Sequence, residues 1–361
     1  MIPEAKQPAV ARALNEAFGV EEFEDICRLT AGLTSALVFR IVVRRHPYIL
    51  RVITRTDDMS DPTRQFACMK SGAERGIAPR VLYASIEERV SITDFVEARP
   101  LSAEETLVRL PGTLRTLHSL PPFPKAKAGN YFDMVDGFIG RLAKSLPESQ
   151  TRELFELYSR VAHVYPRHDE SNWVSSHNDL KPENILFDGD RVWLVDWEAA
   201  FLNDRYVDLA VVANFAVNSE ADEQAYLQRY FEESAGEHRL ARFFLMRQVA
   251  HIFYAMVFLS LAAAAGKAID TSLDASDFRG FHRRILAGEV SLADADAKLQ
   301  YGLVHLKQIQ TEHADAEISR CHADRLEPSP SALDFDGSPL LERAGWLNRP
   351  IPRERRSRSV A

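Results

Sequence analysis

Cysteine is scarce: Cys27, Cys68 and Cys321 are the only three in 361 residues, and their wide spacing fits neither a disulfide framework nor a thiolate metal site. Such usage suits a reducing cytoplasm. Positive charge is also short, with 44 Lys and Arg against 52 Asp and Glu. The net charge of -8 argues against nucleic acid as a partner, because binding a phosphate backbone requires a basic face. An acidic chain suits a cationic small molecule better. The opening MIPEAKQPAVARALNEAF lacks the apolar core of a signal peptide and predicts an amphipathic helix ended by Gly19. The most apolar later run, Ile252 to Ala265, falls short of the roughly 20 residues that cross a bilayer, so it reads as a buried helix and no membrane insertion is expected. No internal repeat is evident.

What the chain does carry is concentrated between Val174 and Leu209, VSSHNDLKPENILFDGDRVWLVDWEAAFLNDRYVDL. Asp179, Asn184 and Asp196 stand at spacings that ATP-dependent phosphoryl transfer requires. One Asp orients and deprotonates a hydroxyl, while an amide oxygen and a second Asp hold Mg²⁺ against the phosphates. Ile185-Leu186-Phe187 and Val192-Trp193-Leu194-Val195 are short β-rich runs around the turn Asp188-Gly189-Asp190, which predicts a hairpin. Such a hairpin brings Asn184, before its first strand, close to Asp196, after its second. Both are hard oxygen ligands suited to Mg²⁺.

HNDLKPEN followed by DWE resembles the catalytic loop and metal motif of the aminoglycoside phosphotransferase and choline kinase superfamily. The continuation AAFLNDRYVDLAVVANF, through Asn203-Asp204 and Asp208-Leu209-Ala210, is more similar to the choline, ethanolamine and thiamine kinase branch than to the antibiotic-resistance branch. The resemblance implies an α+β, bilobal protein-kinase-like fold: a small antiparallel β-sheet N-lobe with one helix, and a larger, mainly helical C-lobe. It implies ATP and Mg²⁺ as cofactors, Asp179 as catalytic base, Asn184 and Asp196 as metal ligands, and Lys181 near the transferred phosphate. His177 is expected to brace the loop rather than move protons.

The first hundred residues have strand character. Phe23 to Leu29, Leu37 to Val43 and Tyr48 to Ile53 read as strands, the last two joined by a turn at Arg44-Arg45-His46-Pro47. Gly32, Thr34 and Ser35 lie in a small-residue loop whose N–H groups and hydroxyls can approach nucleotide phosphates. Arg51 falls where the resembled family places a basic residue on the α and β phosphates, and Arg binds phosphate bidentately. Asp61-Pro62 opens a helix closed near Gly76. On it, Gln65 matches the position of the family's acidic partner, so an Arg51–Gln65 hydrogen bond is expected, with Glu74 a lesser substitute. Val81 to Tyr83 and Val90 to Phe95 complete five strands, and the segment from Thr93 to Glu97 is the expected adenine hinge.

Residues 1–97 are thus the expected nucleotide-binding lobe, 98–326 the catalytic and substrate lobe, and 327–361, rich in Pro, Ser and charge, a disordered tail. Leu107, Leu110, Leu114, Leu117 and Leu120 share one face of a helix that starts after Ser102. Further helices are expected at Phe132 to Leu146, Thr151 to Val164, Glu220 to Phe231, Ala241 to Ala265, Asp277 to Leu286 and Leu292 to Arg325.

The acceptor is expected to be a small hydroxyl compound bearing an amine. Aromatic faces and carboxylates hold such cations, and Tyr254, with Trp197, Tyr206 and Phe253, and Glu198 and Asp204 are the candidates. Tyr254 is followed by Val257 where the resembled choline kinase helix carries a second tryptophan. Asp196 is followed almost at once by Asp208 and a helix, which leaves no activation segment for a peptide. An aminoglycoside-type kinase and a weakly active nucleotide-binding regulator are the alternatives. A monomer and a homodimer both stay open.

Overall fold

The computed structural model describes residues 2–29, 36–56, 60–144, 148–270 and 277–314. The loop carrying Gly32, Thr34 and Ser35 and the tail beyond residue 326 lie outside the described residues.

Helix α1 (Gln7–Phe18) comes first, and its buried Ala9, Val10, Ala13 and Leu14 form a stripe at three- and four-residue spacing. It ends as the sequence predicts: Gly19 takes φ 68° and its N–H closes on the Asn15 carbonyl at 2.7 Å. Strands β1 (Asp25–Leu29), β2 (Ala36–Val43), β3 (His46–Ile53), β4 (Val81–Ser85) and β5 (Val90–Asp94) make one five-stranded antiparallel sheet in the order β1-β2-β3-β5-β4. The α1 stripe and the sheet residues Phe39, Ile41, Leu50, Val52, Val90 and Ile92 close a small core, each large side chain contributing about 1.5–3 kcal/mol.

The β2–β3 turn is tighter than the sequence predicts. Arg44 and Arg45, at φ 50° and 65°, form a two-residue turn in the left-handed region, which matches the twist of paired strands. His46 and Pro47 are therefore the start of β3, paired with Val43 and Val42. Pro47 lies beyond the β3–β5 ladder, which begins at Tyr48 and Asp94. Helix α2 (Pro62–Glu74) is capped by Asp61, whose carboxylate accepts from Thr63 N at 2.9 Å.

The remainder is mainly helical, giving the α+β arrangement expected: α3 (Ala103–His118), α4 (Tyr131–Leu142), α5 (Glu148–Val164), α6 (Arg205–Ala216), α7 (Glu220–Phe231), α8 (Glu237–Ala264), α9 (Phe278–Leu286) and α10 (Ala295–Ala314). Ser102 and Glu105 cap α3 reciprocally. Helix α8 is buried on nearly every side, as the axis of this half must be. It starts before Ala241 and is long and apolar enough by composition to cross a bilayer, which corrects the shorter reading; 67% of its most apolar window is buried inside the fold. Gly302 lets α10 cross it closely, since a Cβ there would meet the Leu259 side chain at 2.8 Å.

Between α5 and α6 run four short strands. β7 (Ile185–Phe187) and β8 (Val192–Leu194) form the predicted hairpin. β6 (Trp173–Ser176) pairs with β9 (Phe201–Asp204), a pairing the sequence does not announce.

Candidate active site

β6 delivers the chain to a sharp turn at Asn178, whose φ of 66° is one that asparagine tolerates better than most residues. Asp208, in the first turn of α6 and fully buried, receives His177 N at 2.9 Å and Asn178 N at 2.6 Å. The Asn178 amide donates to Ala199 O at 3.0 Å and accepts from Asn203 Nδ2 at 2.8 Å. His177 Nε2 meets Val195 O at 2.9 Å. These bonds stitch the 177–181 loop to the segment carrying Asp196, and His177 braces rather than faces the site.

Asp179 uses its two oxygens differently. Oδ2 accepts from Asn184 Nδ2 at 3.0 Å and lies 3.1 Å from Lys181 Nζ, whereas Oδ1 accepts from the Tyr254 hydroxyl at 2.6 Å. Asn184 Nδ2 also donates to the Asp179 carbonyl at 2.7 Å. Both amide hydrogens thus face Asp179, and the amide oxygen is turned away from it. A backbone bond from Val195 N to the Asn184 carbonyl, 3.0 Å, ties Asn184 to the residue before Asp196 across the hairpin.

The donor set fits Mg²⁺. No group of three or more His, Cys, Asp or Glu that could hold a metal occurs among the described residues. A carboxylate and an amide oxygen with no further protein cage is how Mg²⁺ is held when phosphates and water complete the shell. Burial would raise the Asp196 carboxyl, but the charges of Arg51 and Lys181 hold it below its usual range. Burial likewise opposes the Lys181 charge, yet Asp179, Glu183 and Asp196 raise that amine above its ordinary value. Burial, and then the Asp179 charge, push the Tyr254 phenol well up, so it stays a donor.

Arg51 reaches across from β3. Its Nη1 is 2.8 Å from Asp196 Oδ1 and its Nη2 is 2.7 Å from Glu198 Oε2. Gln65 is not its partner: the Gln65 amide donates within α2, to Asp61 O at 3.4 Å. This corrects the expected Arg51–Gln65 bond, because the turn after β8 carries carboxylates to Arg51 more strongly than a neutral amide would hold it. Glu198, expected beside the substrate, is thereby committed to Arg51, and Glu74 is exposed. Helix α2 grips this turn through Arg64, whose guanidinium donates to Glu198 O at 2.8 Å and Ala200 O at 2.6 Å. Gly72 admits the Trp197 ring, which a Cβ would strike at 2.7 Å.

The other substrate candidates separate. Tyr254 lies on the Asp179 carboxylate. Asp204 instead caps α6 and is paired with the buried Arg242 at 2.7 Å, alongside Tyr165 OH at 2.8 Å. Its burial leaves it holding β9 to α8. Tyr206 lies under Arg242, Trp197 is buried with its N–H on Leu194 O, and Phe253 stacks on Tyr131. Three residues to which the sequence reading gave no site role complete the site's frame: Asp208 and Arg64, and His118, whose Nε2 is 3.0 Å from Asp208. The signal for Asp208 is a lone carboxylate in the apolar run VDLAVVANF.

Residues 25–243 match the phosphotransferase enzyme family, a span that includes Arg51, Asp179, Asn184, Asp196 and Glu198. A 63-residue stretch is 36% identical to the protein LicA of Haemophilus influenzae, covering 18% of this chain and 24% of that protein, so the match spans about a quarter of that relative's length. The fold is similar to that of a choline/ethanolamine kinase family protein from Mesorhizobium loti, with a TM-score of 0.61 and 18% identity over 89% of this chain and 99% of that one. It is also similar to the choline kinase LicA from Streptococcus pneumoniae, with a TM-score of 0.56 and 15% identity over 79% of this chain and 99% of that one. At these identities the structural likeness speaks for the fold.

Proposed function

Because the chain belongs to the phosphotransferase enzyme family, we propose that it transfers the γ-phosphoryl group of ATP, bound with Mg²⁺, to a hydroxyl of a small amine-bearing metabolite. The observation that carries this reading is the division of labour on Asp179. Asn184 and Lys181 hold one oxygen, and the other is directed at a hydroxyl, here that of Tyr254. An acceptor hydroxyl donating to Asp179 would be aligned for in-line attack, and its proton would pass to the carboxylate. Lys181 stands beside the base to meet the charge of the moving phosphoryl group. Asn184 and Asp196 would hold Mg²⁺, which on binding shields the phosphates and orients the γ-group.

Residues 1–97 would take the nucleotide and 98–326 the acceptor, with Gly32, Thr34 and Ser35 near the phosphates. The names of the relatives put choline and ethanolamine first among acceptors. The test is ADP release from Mg-ATP across choline, ethanolamine, thiamine, carnitine, aminoglycosides and simple sugars, with Asp179→Asn as control. An acceptor-dependent signal lost in the variant is expected. Silence across the panel with nucleotide still bound would move the reading to an acceptor outside the panel or to a nucleotide-binding regulator.

A further inference from the structure

The guanidinium of Arg51 bridges two carboxylates that differ in freedom. Asp196 sits at φ 64° at the head of the turn, and its carboxylate is the charged member of the pair, Asn184 and Asp196, that would hold a metal. Glu198 is two residues further on, in a stretch whose backbone is clamped from behind by α2. Arg64 holds the carbonyls of Glu198 and Ala200, Cys68 Sγ adds a 3.7 Å contact to Ala200 O, and Trp197 fills the notch at Gly72. Arg51 Nη1 takes Asp196 and Nη2 takes Glu198, at 2.8 and 2.7 Å. All three side chains are sheltered, with 13% of Arg51, 22% of Asp196 and 26% of Glu198 exposed, so these contacts are only partly screened by water.

We infer that Arg51 is a built-in countercation that occupies Asp196 until nucleotide and metal arrive together, and that Glu198 is the fixed anchor on which it pivots. The inference rests on the kinase reading of the site. A bare Mg²⁺ ion must pull Asp196 from Arg51 and brings no anion of its own to replace it. Mg²⁺ carried by phosphates brings the replacement: Nη1 exchanges Asp196 for a phosphate oxygen while Nη2 stays on Glu198. Only a planar fork holds two anions in fixed directions at once, so lysine is a poor substitute. Glu198 is a positioning residue here, acting through Arg51.

The test is binding without turnover. Wild type, Arg51→Met, Arg51→Lys and Glu198→Gln are titrated with MgCl₂ alone, with Mg-ADP and with adenosine, by calorimetry and thermal shift, after circular dichroism confirms folding. Wild type is expected to bind Mg-ADP but to respond to MgCl₂ alone only weakly. Arg51→Met should bind Mg²⁺ alone at least tenfold more tightly and Mg-ADP less tightly. Glu198→Gln and Arg51→Lys should weaken Mg-ADP about tenfold, leave adenosine unchanged and keep the weak response to Mg²⁺ alone. Equal Mg²⁺ affinity in Arg51→Met and wild type would overturn the countercation role. Unchanged Mg-ADP affinity in Glu198→Gln would overturn the anchor. Failure of wild type to bind Mg-ADP at all would overturn the kinase reading itself, a distinct result.

Discussion

The Tyr254 hydroxyl lies 2.6 Å from Asp179 Oδ1, the oxygen that neither Asn184 nor Lys181 takes. Its ring is stacked on His305 with centroids 5.2 Å apart, so the phenol approaches from a fixed direction. A hydrogen bond to a charged group is worth about 1.5–3 kcal/mol. Tyr254→Phe should therefore lower kcat/KM for the acceptor roughly 10–100-fold, through a less well-oriented base, with the KM for ATP unchanged. Asp179→Asn should cost about 10²–10⁴-fold or more, since the proton then has no acceptor. Steady-state kinetics with each substrate varied in turn distinguishes them; a Tyr254→Phe effect confined to ATP would contradict the contact with the base.

Asp208 predicts a stability effect at a distance from the chemistry. It takes the backbone N–H groups of His177 and Asn178 and faces His118, with no exposure to water. Asp208→Ala orphans buried donors at about 1–3 kcal/mol each. Urea unfolding should show the midpoint reduced, with Asp208→Asn intermediate because its amide oxygen still accepts. An unchanged midpoint in Asp208→Ala would mean that the loop holds itself.

The β7–β8 hairpin is legible because its signals are local: two β-rich triplets, a turn with glycine, and functional residues just outside. The same holds for the ends of α1, α2 and α3, each set by a cap within a few residues. The β6–β9 pair is not legible, because Ser175, Ser176, Asn203 and Asp204 are poor strand formers and the pairing spans the whole hairpin. Arg51 stands out from sequence, but its partners do not. That Glu198 rather than Gln65 receives it depends on how α2 docks on the turn, through Arg64 and the missing side chain of Gly72. Asp204 looks the same in sequence whether it faces a ligand or Arg242, and only the burial of Arg242 on α8 decides between them.

The thiols should report the packing of α2 directly. Cys27 is exposed, whereas Cys68 is buried against the 196–200 turn and its thiol is pushed up to about 12 by desolvation. In a Cys321→Ser background, a disulfide reagent at pH 8 should label one thiol rapidly and the second only in denaturant. Two rapid equivalents would mean that α2 does not stay seated on the turn, and would weaken the account of Glu198 as an anchor.

Behind Tyr254, His305 of α10 is buried against His251 of α8, with Nδ1 atoms 2.9 Å apart. Tyr254, Phe278 and Tyr301 surround it, and His282, bonded to Tyr301 and 3.4 Å from Glu183, completes the cluster from α9. Burial, then the nearby His251 and His282, hold the His305 imidazole well below its ordinary value of 6.5. Above that pH the residue is neutral both folded and unfolded, and its contribution to stability is complete. As pH falls through 6.5 the unfolded chain takes a proton that the folded protein refuses, so stability falls with pH, by up to about 1.4 kcal/mol per unit. Urea unfolding at pH 7.0, 6.0 and 5.5 should therefore show a steeper loss in the wild type than in His305→Gln, which has no proton to gain. Parallel curves would assign the acid sensitivity to other groups.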